Sequence, residues 1–274
     1  MEDLDRYAGK LIKTYLSGGS TNMERYFQFD DQLLPFIFYS KSHWVALILI
    51  ISTCMLIFLL RGHIRQHKKA DLYRYGLAGF LLLINVILHI WYGTSGSWDI
   101  SHTLPLHLCS LTVLLCIIML LTKSYALFEF NYFAGIGGAL QALLTPAAIL
   151  SGYPHFTYYY FFIAHGGIIV SCLFMIWIYG YQPYFRSIGK TMIYLNVLMI
   201  PIAVVNVLTG GNYLFIMHKP SDPSLIDVLG PWPWYILSME AAAAVVFLLL
   251  YLPFLSQKSK RDPLREQRSA NKEG

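Results

Sequence analysis

Cys109 and His165 are the two residues whose types fit nucleophilic acyl chemistry. Cys109 stands in His102-Thr-Leu-Pro-Leu-His107-Leu-Cys109-Ser110, where Thr103 is the expected N-cap and Pro105 falls in the first turn of a helix. A thiol just inside a helix N-terminus feels the positive end of the dipole, which favours thiolate. His107 is two residues away, about 200° around a helix, so it is badly placed as the partner base. His165, in Phe-Phe-Ile-Ala-His165-Gly166-Gly167, is the candidate base from another helix. In such a pair the imidazole takes the thiol proton and the thiolate attacks an ester carbonyl. Zinc is the competing use of the same donors: His89, His102, His107, Cys109 and His165 are enough ligands. No two of them have the spacing that shares a helical face, so each helix would supply one. No other cofactor is expected.

Positioning these residues falls to an apolar chain. Of 274 residues, 56% are hydrophobic and 13% charged, against about 45–50% and about 25% in an ordinary globular domain. So little charge argues against a disordered tail, a secreted disulfide scaffold or a cytosolic enzyme. Seven stretches approach the roughly 20 residues that span a bilayer as a helix: 44–60, 75–92, 104–121, 126–150, 156–180, 191–208 and 234–254. Every Lys and Arg falls outside them, and only Glu129 and Glu240 among the acids fall inside. None of the runs alternates at period two, so a barrel is not indicated. The expected fold is therefore all-α and polytopic, with about seven transmembrane helices.

Basic residues set the expected orientation. Fourteen Lys and Arg flank one side, in loops 1–2, 3–4, 5–6 and the tail, and six flank the other. That places the N-terminus outside and the C-terminus in the cytoplasm. Residues 1–43 read as an extracellular arm, with Leu4, Ala8, Leu11 and Tyr15 at helical spacing. Residues 44–254 form the seven-helix domain, and 255–274 a basic cytoplasmic tail. Met1–Ser20 lacks an apolar core segment, so no cleavable signal peptide is expected. The net charge of +5 reflects topology, with anionic lipid headgroups rather than nucleic acid as the partner of the tail. Cys54, Cys109, Cys116 and Cys172 all sit inside spans without CxxC spacing, so no structural disulfide is expected.

With directions assigned, polar residues of six helices fall in the outer half of the bilayer: His89, Cys109, Gln141 with Thr145, His165, Asn206 and Glu240. Polar groups at such depth usually face a bundle interior or a cavity. Supporting roles are assigned to Gln141, Asn206 or Asn212 as oxyanion donors and to Glu240 as the group orienting the histidine. Asn85, Gln141, Asn196 and Asn206 also fit interhelical glue, and His89 fits a helix end. The glycines Gly135, Gly137, Gly138, Gly166 and Gly167 read as close helix contacts. Loop 209–233 is the longest, with Asp222 as N-cap, Pro223 and Gly230 framing one short helix. It serves as a lid over the site or as an interfacial connector, and Lys219 is its one cation.

Five motifs in order carry a family resemblance: Leu-Pro-Leu-His107-Leu-Cys109-Ser, Gln141-Ala-Leu-Leu-Thr145-Pro146, Phe-Phe-Ile-Ala-His165-Gly, Gly211-Asn212-Tyr213 with Lys219-Pro220, and Leu-Gly-Pro-Trp232-Pro-Trp234-Tyr-Ile-Leu with Glu240. Over about residues 77–253 the chain resembles the YwaF-type bacterial integral membrane proteins, and animal transmembrane protein 164 is similar. The resemblance implies a multi-helix membrane fold. For the animal branch it implies an acyltransferase that moves fatty acyl chains between phospholipids through a Cys–His pair, which would fall on Cys109 and His165. The alternative function is a non-enzymatic transporter or small-molecule or lipid-binding receptor, with the polar layer as its pocket.

Overall fold

A computed structural model describes residues 26–28, 35–66, 69–146, 151–220 and 225–255. Among these, seven helices account for nearly all regular structure, and no strand is present. They are α1 (Lys41–Arg65), α2 (Lys69–Thr94), α3 (Leu108–Thr122), α4, α5 (Phe156–Tyr179), α6 (Phe185–Thr209) and α7 (Trp234–Tyr251). Helix α4 begins as Tyr125–Phe130, passes through a π turn at Asn131–Gly135 and resumes as Ile136–Leu144. Five helices (α1, α2, α5, α6 and α7 with its 3-10 extension to Phe254) are long and apolar enough to cross a membrane. The chain is by that composition a multi-pass membrane protein.

Helix boundaries follow local chemistry. Ser40 and Ser124 cap α1 and α4 through their hydroxyls, and Gly180 and Gly210 end α5 and α6 at φ +74° and +71°. Two helices fall short of their expected stretches, while α1, α2 and α6 run past theirs. The third helix starts at Leu108 rather than at 104, because 103–107 form turns and Thr103 donates its hydroxyl to the Asp99 carbonyl instead of capping. The fourth ends at Leu144, and residues 147–150 lie outside the described ones. Most of the arm 1–43, Asp222, Pro223 and the tail beyond Leu255 also lie outside them.

Helix α5 is the hub. It is buried along most of its length against α1, α2, α3 and α4, while α6 and α7 pack on α4 and on each other. Outward faces of α1, α2, α6 and α7 carry exposed Leu, Ile, Val and Phe, a surface suited to lipid tails. The expected glycine contacts are present. A Cβ on Gly166 would meet Ile50 of α1 at 2.9 Å, and one on Gly167 would meet Leu81 of α2 closer still. These two glycines let α1 and α2 close on α5 directly below His165. Leu81 is itself buried and has little room to yield. Gly167→Ala is therefore expected to lower stability by about 1–3 kcal/mol through overpacking. Gly189→Ala, in α6 with open space around it, should instead gain about 0.5–1 kcal/mol from helix propensity. Thermal unfolding of the two variants in detergent reads the contrast.

The carboxy-terminal ends of α3 and α5 meet at one end of the bundle. Buried Arg74 donates to the terminal carbonyls of α3, those of Leu120 and, at 3.0 Å, Leu121. Its Nε reaches Asp71 at 3.0 Å and the Tyr179 hydroxyl at 3.2 Å. Lys123 pairs with Asp71 at 2.9 Å, and Tyr181 donates to the Lys123 carbonyl at 2.5 Å. Arg74 thus satisfies carbonyls that every helix leaves orphaned at its C-terminus. The buried acid Glu129 is explained nearby: it pairs with Lys190 at 3.0 Å and accepts from the Ser187 hydroxyl, joining α4 to α6.

At the opposite end, residues 26–28 are fastened to α2 and α5. Trp91 Nε1 donates to the Phe27 carbonyl at 2.7 Å, and His155 Nε2 donates to the Gln28 carbonyl at 2.8 Å. His155 Nδ1 in turn accepts the Thr157 amide, capping α5. Both nitrogens are thereby committed to one neutral tautomer, and burial pushes the imidazole below its ordinary value. A histidine whose folded pKa is depressed contributes stability above its unfolded value of about 6.5, and that contribution is lost as pH falls from there towards the folded value. Thermal stability should therefore decline on acidification below about pH 6.5. His155→Asn, which keeps a capping acceptor without titrating, should flatten that decline.

Candidate functional site

The late start of α3 shapes the site. Helices α3 and α5 run in parallel, because their C-termini meet at the Arg74 cluster. Counting back from Thr122 and Tyr179 at 1.5 Å per residue, Cys109 and His165 both lie about 20 Å from that end. A second marker agrees. The Cys116 and Cys172 thiols approach closely enough to interact across α3 and α5, and Cys109 and His165 each stand two turns before one of them. The two residues therefore share a level on facing helices. Cys109 is the second residue of α3, so α3 begins inside the bundle.

A helix that begins at depth leaves irregular backbone there, which membrane proteins tolerate only when it is covered and hydrogen-bonded. Tyr213 does most of the covering. It is fully buried, and its hydroxyl accepts from the Leu104 amide at 3.0 Å and donates to the Ile100 carbonyl at 2.7 Å. Asn206 of α6 holds Tyr213 through both backbone groups, accepting its amide at 2.8 Å and donating to its carbonyl at 3.0 Å. Gly211 approaches so closely that a Cβ would stand 2.6 Å from the Ser101 carbonyl. Leu214 and Phe215 take φ of +59° and +53°, a left-handed conformation costly for non-glycine residues. Tyr235 fixes the strained pair by donating to the Phe215 carbonyl. Rings of Tyr213 and Phe215 each lie 5.2 Å from that of His107.

His165 is buried and its Nδ1 lies 2.7 Å from the Phe161 carbonyl. A carbonyl only accepts, so Nδ1 carries the hydrogen and Nε2 presents its lone pair. Among the described residues Nε2 has no hydrogen-bond partner. The backbone thus does the orienting assigned to Glu240, which forms no ion pair or hydrogen bond among the described residues. Cys109 Sγ lies against α4, 3.8 Å from where a Gly138 Cβ would be. No hydrogen bond joins Cys109 to His165 in this state, and catalytic contacts often tighten only with substrate bound.

Other expected residues are dispersed. The Asn212 side chain braces its own loop, accepting the Met217 and His218 amides and donating to His218. Lys219 Nζ donates to the Asp227 carbonyl at 3.1 Å. Gln141 is exposed and pairs with Thr145, and His89 is exposed on α2. His107 is the N-cap of α3 but makes no capping hydrogen bond. No group of three metal-ligating side chains assembles among the described residues, so the zinc alternative finds no centre there. In loop 209–233 the short helix is a 3-10 segment, Leu225–Leu229, followed by Gly230 at φ +99°. Sequence reasoning missed Tyr213 as the organiser of the α3 entry. Tyr213 had a signal in the Gly211-Asn212-Tyr213 motif.

No curated protein and no solved structure matches the chain. A family match does extend over residues 38–251, which takes in all seven helices, Cys109, His165, Asn206 and Tyr213. On that match the chain belongs to the TMEM164 family.

Proposed function

We propose that this TMEM164-family protein transfers or hydrolyses lipid acyl groups through Cys109 and His165, and that it groups with the YwaF-type bacterial members. The observation that carries the reading is a thiol in the first turn of a helix that starts inside the bundle, level with a histidine whose Nε2 lone pair is free. His165 Nε2 is the atom able to take the thiol proton. Transfer would run in balanced steps. Cys109 Sγ–H gives its proton to His165 Nε2, and sulfur bonds to the ester carbonyl carbon while the carbonyl electrons move to oxygen. Collapse breaks the carbon–oxygen ester bond, the leaving alkoxide takes the proton from Nε2, and a thioester remains. An acceptor hydroxyl or water then repeats the sequence with the same base.

In this reading phospholipids or other acyl lipids supply the ester, reached through the exposed apolar faces of the bundle. The basic end, with Arg61, Arg65, Lys69 and Lys190, faces the cytoplasm of the cell membrane, and Cys109 opens towards the outer leaflet. An acyl-ester activity probe on purified protein tests the reading. Labelling of the wild type should disappear in Cys109→Ala; equal labelling of the two would overturn the cysteine mechanism. Ligand-dependent thermal stabilisation without any labelling would favour a lipid receptor instead.

A further inference from the structure

A thiol that attacks an ester needs an open approach, and the exposure of α4 shows where it runs. From Phe128 to Gly137 every residue of α4 is buried, so the half nearest the Arg74 cluster is sealed against its neighbours. From Gly138 onward two accessible strips appear. Leu140 and Leu144 form one, with the long apolar side chains of a lipid-facing surface. Gly138, Gln141, Ala142 and Thr145 form the other, at i, i+3, i+4 and i+7 and roughly 130° away around the helix. The residues between the strips, Gly137, Ala139 and Leu143, are buried.

The second strip is unlike a lipid-facing one and it ends at the thiol. It holds the only hydrogen-bonding side chains between Gly138 and Thr145, Gln141 and Thr145, which pair at 3.4 Å. At its inner end a Cβ on Gly138 would lie 3.8 Å from Cys109 Sγ and 3.4 Å from the Leu108 side chain. Cys109 itself is half-buried rather than enclosed. Gly138 to Thr145 covers about 10 Å at 1.5 Å per residue. Contacts of His43 with the Leu143 carbonyl at 2.9 Å and of Tyr39 with the Leu144 carbonyl at 3.1 Å fix the open end of the strip.

We propose that this strip is the path by which an acyl ester reaches Cys109, and that Gly138 is the specificity-determining residue, leaving room beside the thiol for the first carbons of a long acyl chain. The inference deepens the acyl reading of Cys109 and rests on it. The donor class is an amphipathic ester, whose polar part passes Gln141 and Thr145 while its carbonyl lies at Gly138. A methyl group at 138 would stand at ordinary contact distance from Sγ and Leu108. A longer side chain would compete with the donor for the same room.

The test sets acylation by p-nitrophenyl octanoate against acylation by p-nitrophenyl acetate. Each ester transfers its acyl group to Sγ and releases p-nitrophenolate, and alkylation by iodoacetamide gauges the thiol itself. Gly138→Leu should slow octanoyl transfer by about 10–200-fold relative to acetyl transfer, the discrimination that methylene-sized changes give a pocket. Gly138→Ala should stay near wild type. Gln141→Trp, at an exposed position, applies the same test further along the strip without entering the packed interior. Leu140→Trp adds similar bulk to the lipid-facing strip and should change no reaction. Wild-type octanoyl transfer in Gly138→Leu and Gln141→Trp, an equal loss of all three reactions, or the same selective loss in Leu140→Trp would overturn the path. A wild type that acylates no faster than Cys109→Ala would instead overturn the acyl reading beneath it.

Discussion

Replacing His165 by asparagine is expected to slow acylation of Cys109 by about 10²–10⁴-fold, the contribution of a positioned general base. Asparagine is the informative substitute because this fold already shows what it does in a helix. Asn85 donates to the Leu81 carbonyl and Asn196 to the Met192 carbonyl, each one turn back. An asparagine in place of His165 would hold the Phe161 carbonyl in the same way, preserving the one hydrogen bond that anchors the native imidazole. What disappears is the lone pair on Nε2, so the fold is kept and the base is removed. Thermal unfolding should stay near wild type. The deficit should narrow as pH rises, because hydroxide then generates the thiolate without help from the protein. Unchanged acylation at neutral pH would show that Cys109, if reactive, ionises without His165.

The charge pattern made the bundle legible: Lys and Arg vacate every apolar stretch, and each of the seven stretches falls on one of the seven helices. Helix depth was legible for a related reason, since residues on parallel helices can be counted from a shared end. That is why Cys109 and His165 could be set at one level from sequence. Hydrogen bonding of polar side chains was not legible. Asn206 and Asn212 have the composition of oxyanion donors, yet the side chains of both are engaged by backbone groups that only the folded loop brings to them. The start of α3 was misjudged because Thr103 and Pro105 make a good helix entry locally. Tyr213, more than a hundred residues later, offers the backbone at Ile100 and Leu104 a tertiary alternative that wins. Glu129 and Glu240 looked alike as membrane-buried acids. One is a structural ion pair with Lys190, and the other stands without a partner among the described residues.

Asn206→Ala is expected to cause the second large effect, a loss of about 2–4 kcal/mol together with reactivity at Cys109. The wild-type amide satisfies the buried N–H and C=O of Tyr213 at once, and alanine leaves both in an apolar interior without a partner. Strain acts in the same direction. Leu214 and Phe215 hold left-handed conformations worth about 1–3 kcal/mol each, and they persist only while Asn206 and Tyr235 fix the loop on either side. Once Asn206 is cut, the loop relaxes and carries the Tyr213 hydroxyl away from Leu104 and Ile100, so the entry to α3 loses its cover. Cys109 then loses its alignment with both the helix terminus and the histidine. Alkylation and acylation should fall together. Tyr213→Phe separates the two consequences, since it keeps the backbone pairs to Asn206 and removes only the hydroxyl. It should cost less in thermal stability than Asn206→Ala while still depressing both reactions. Wild-type unfolding and wild-type thiol reactivity in Asn206→Ala would mean that the 209–216 loop does not hold the start of α3 in place.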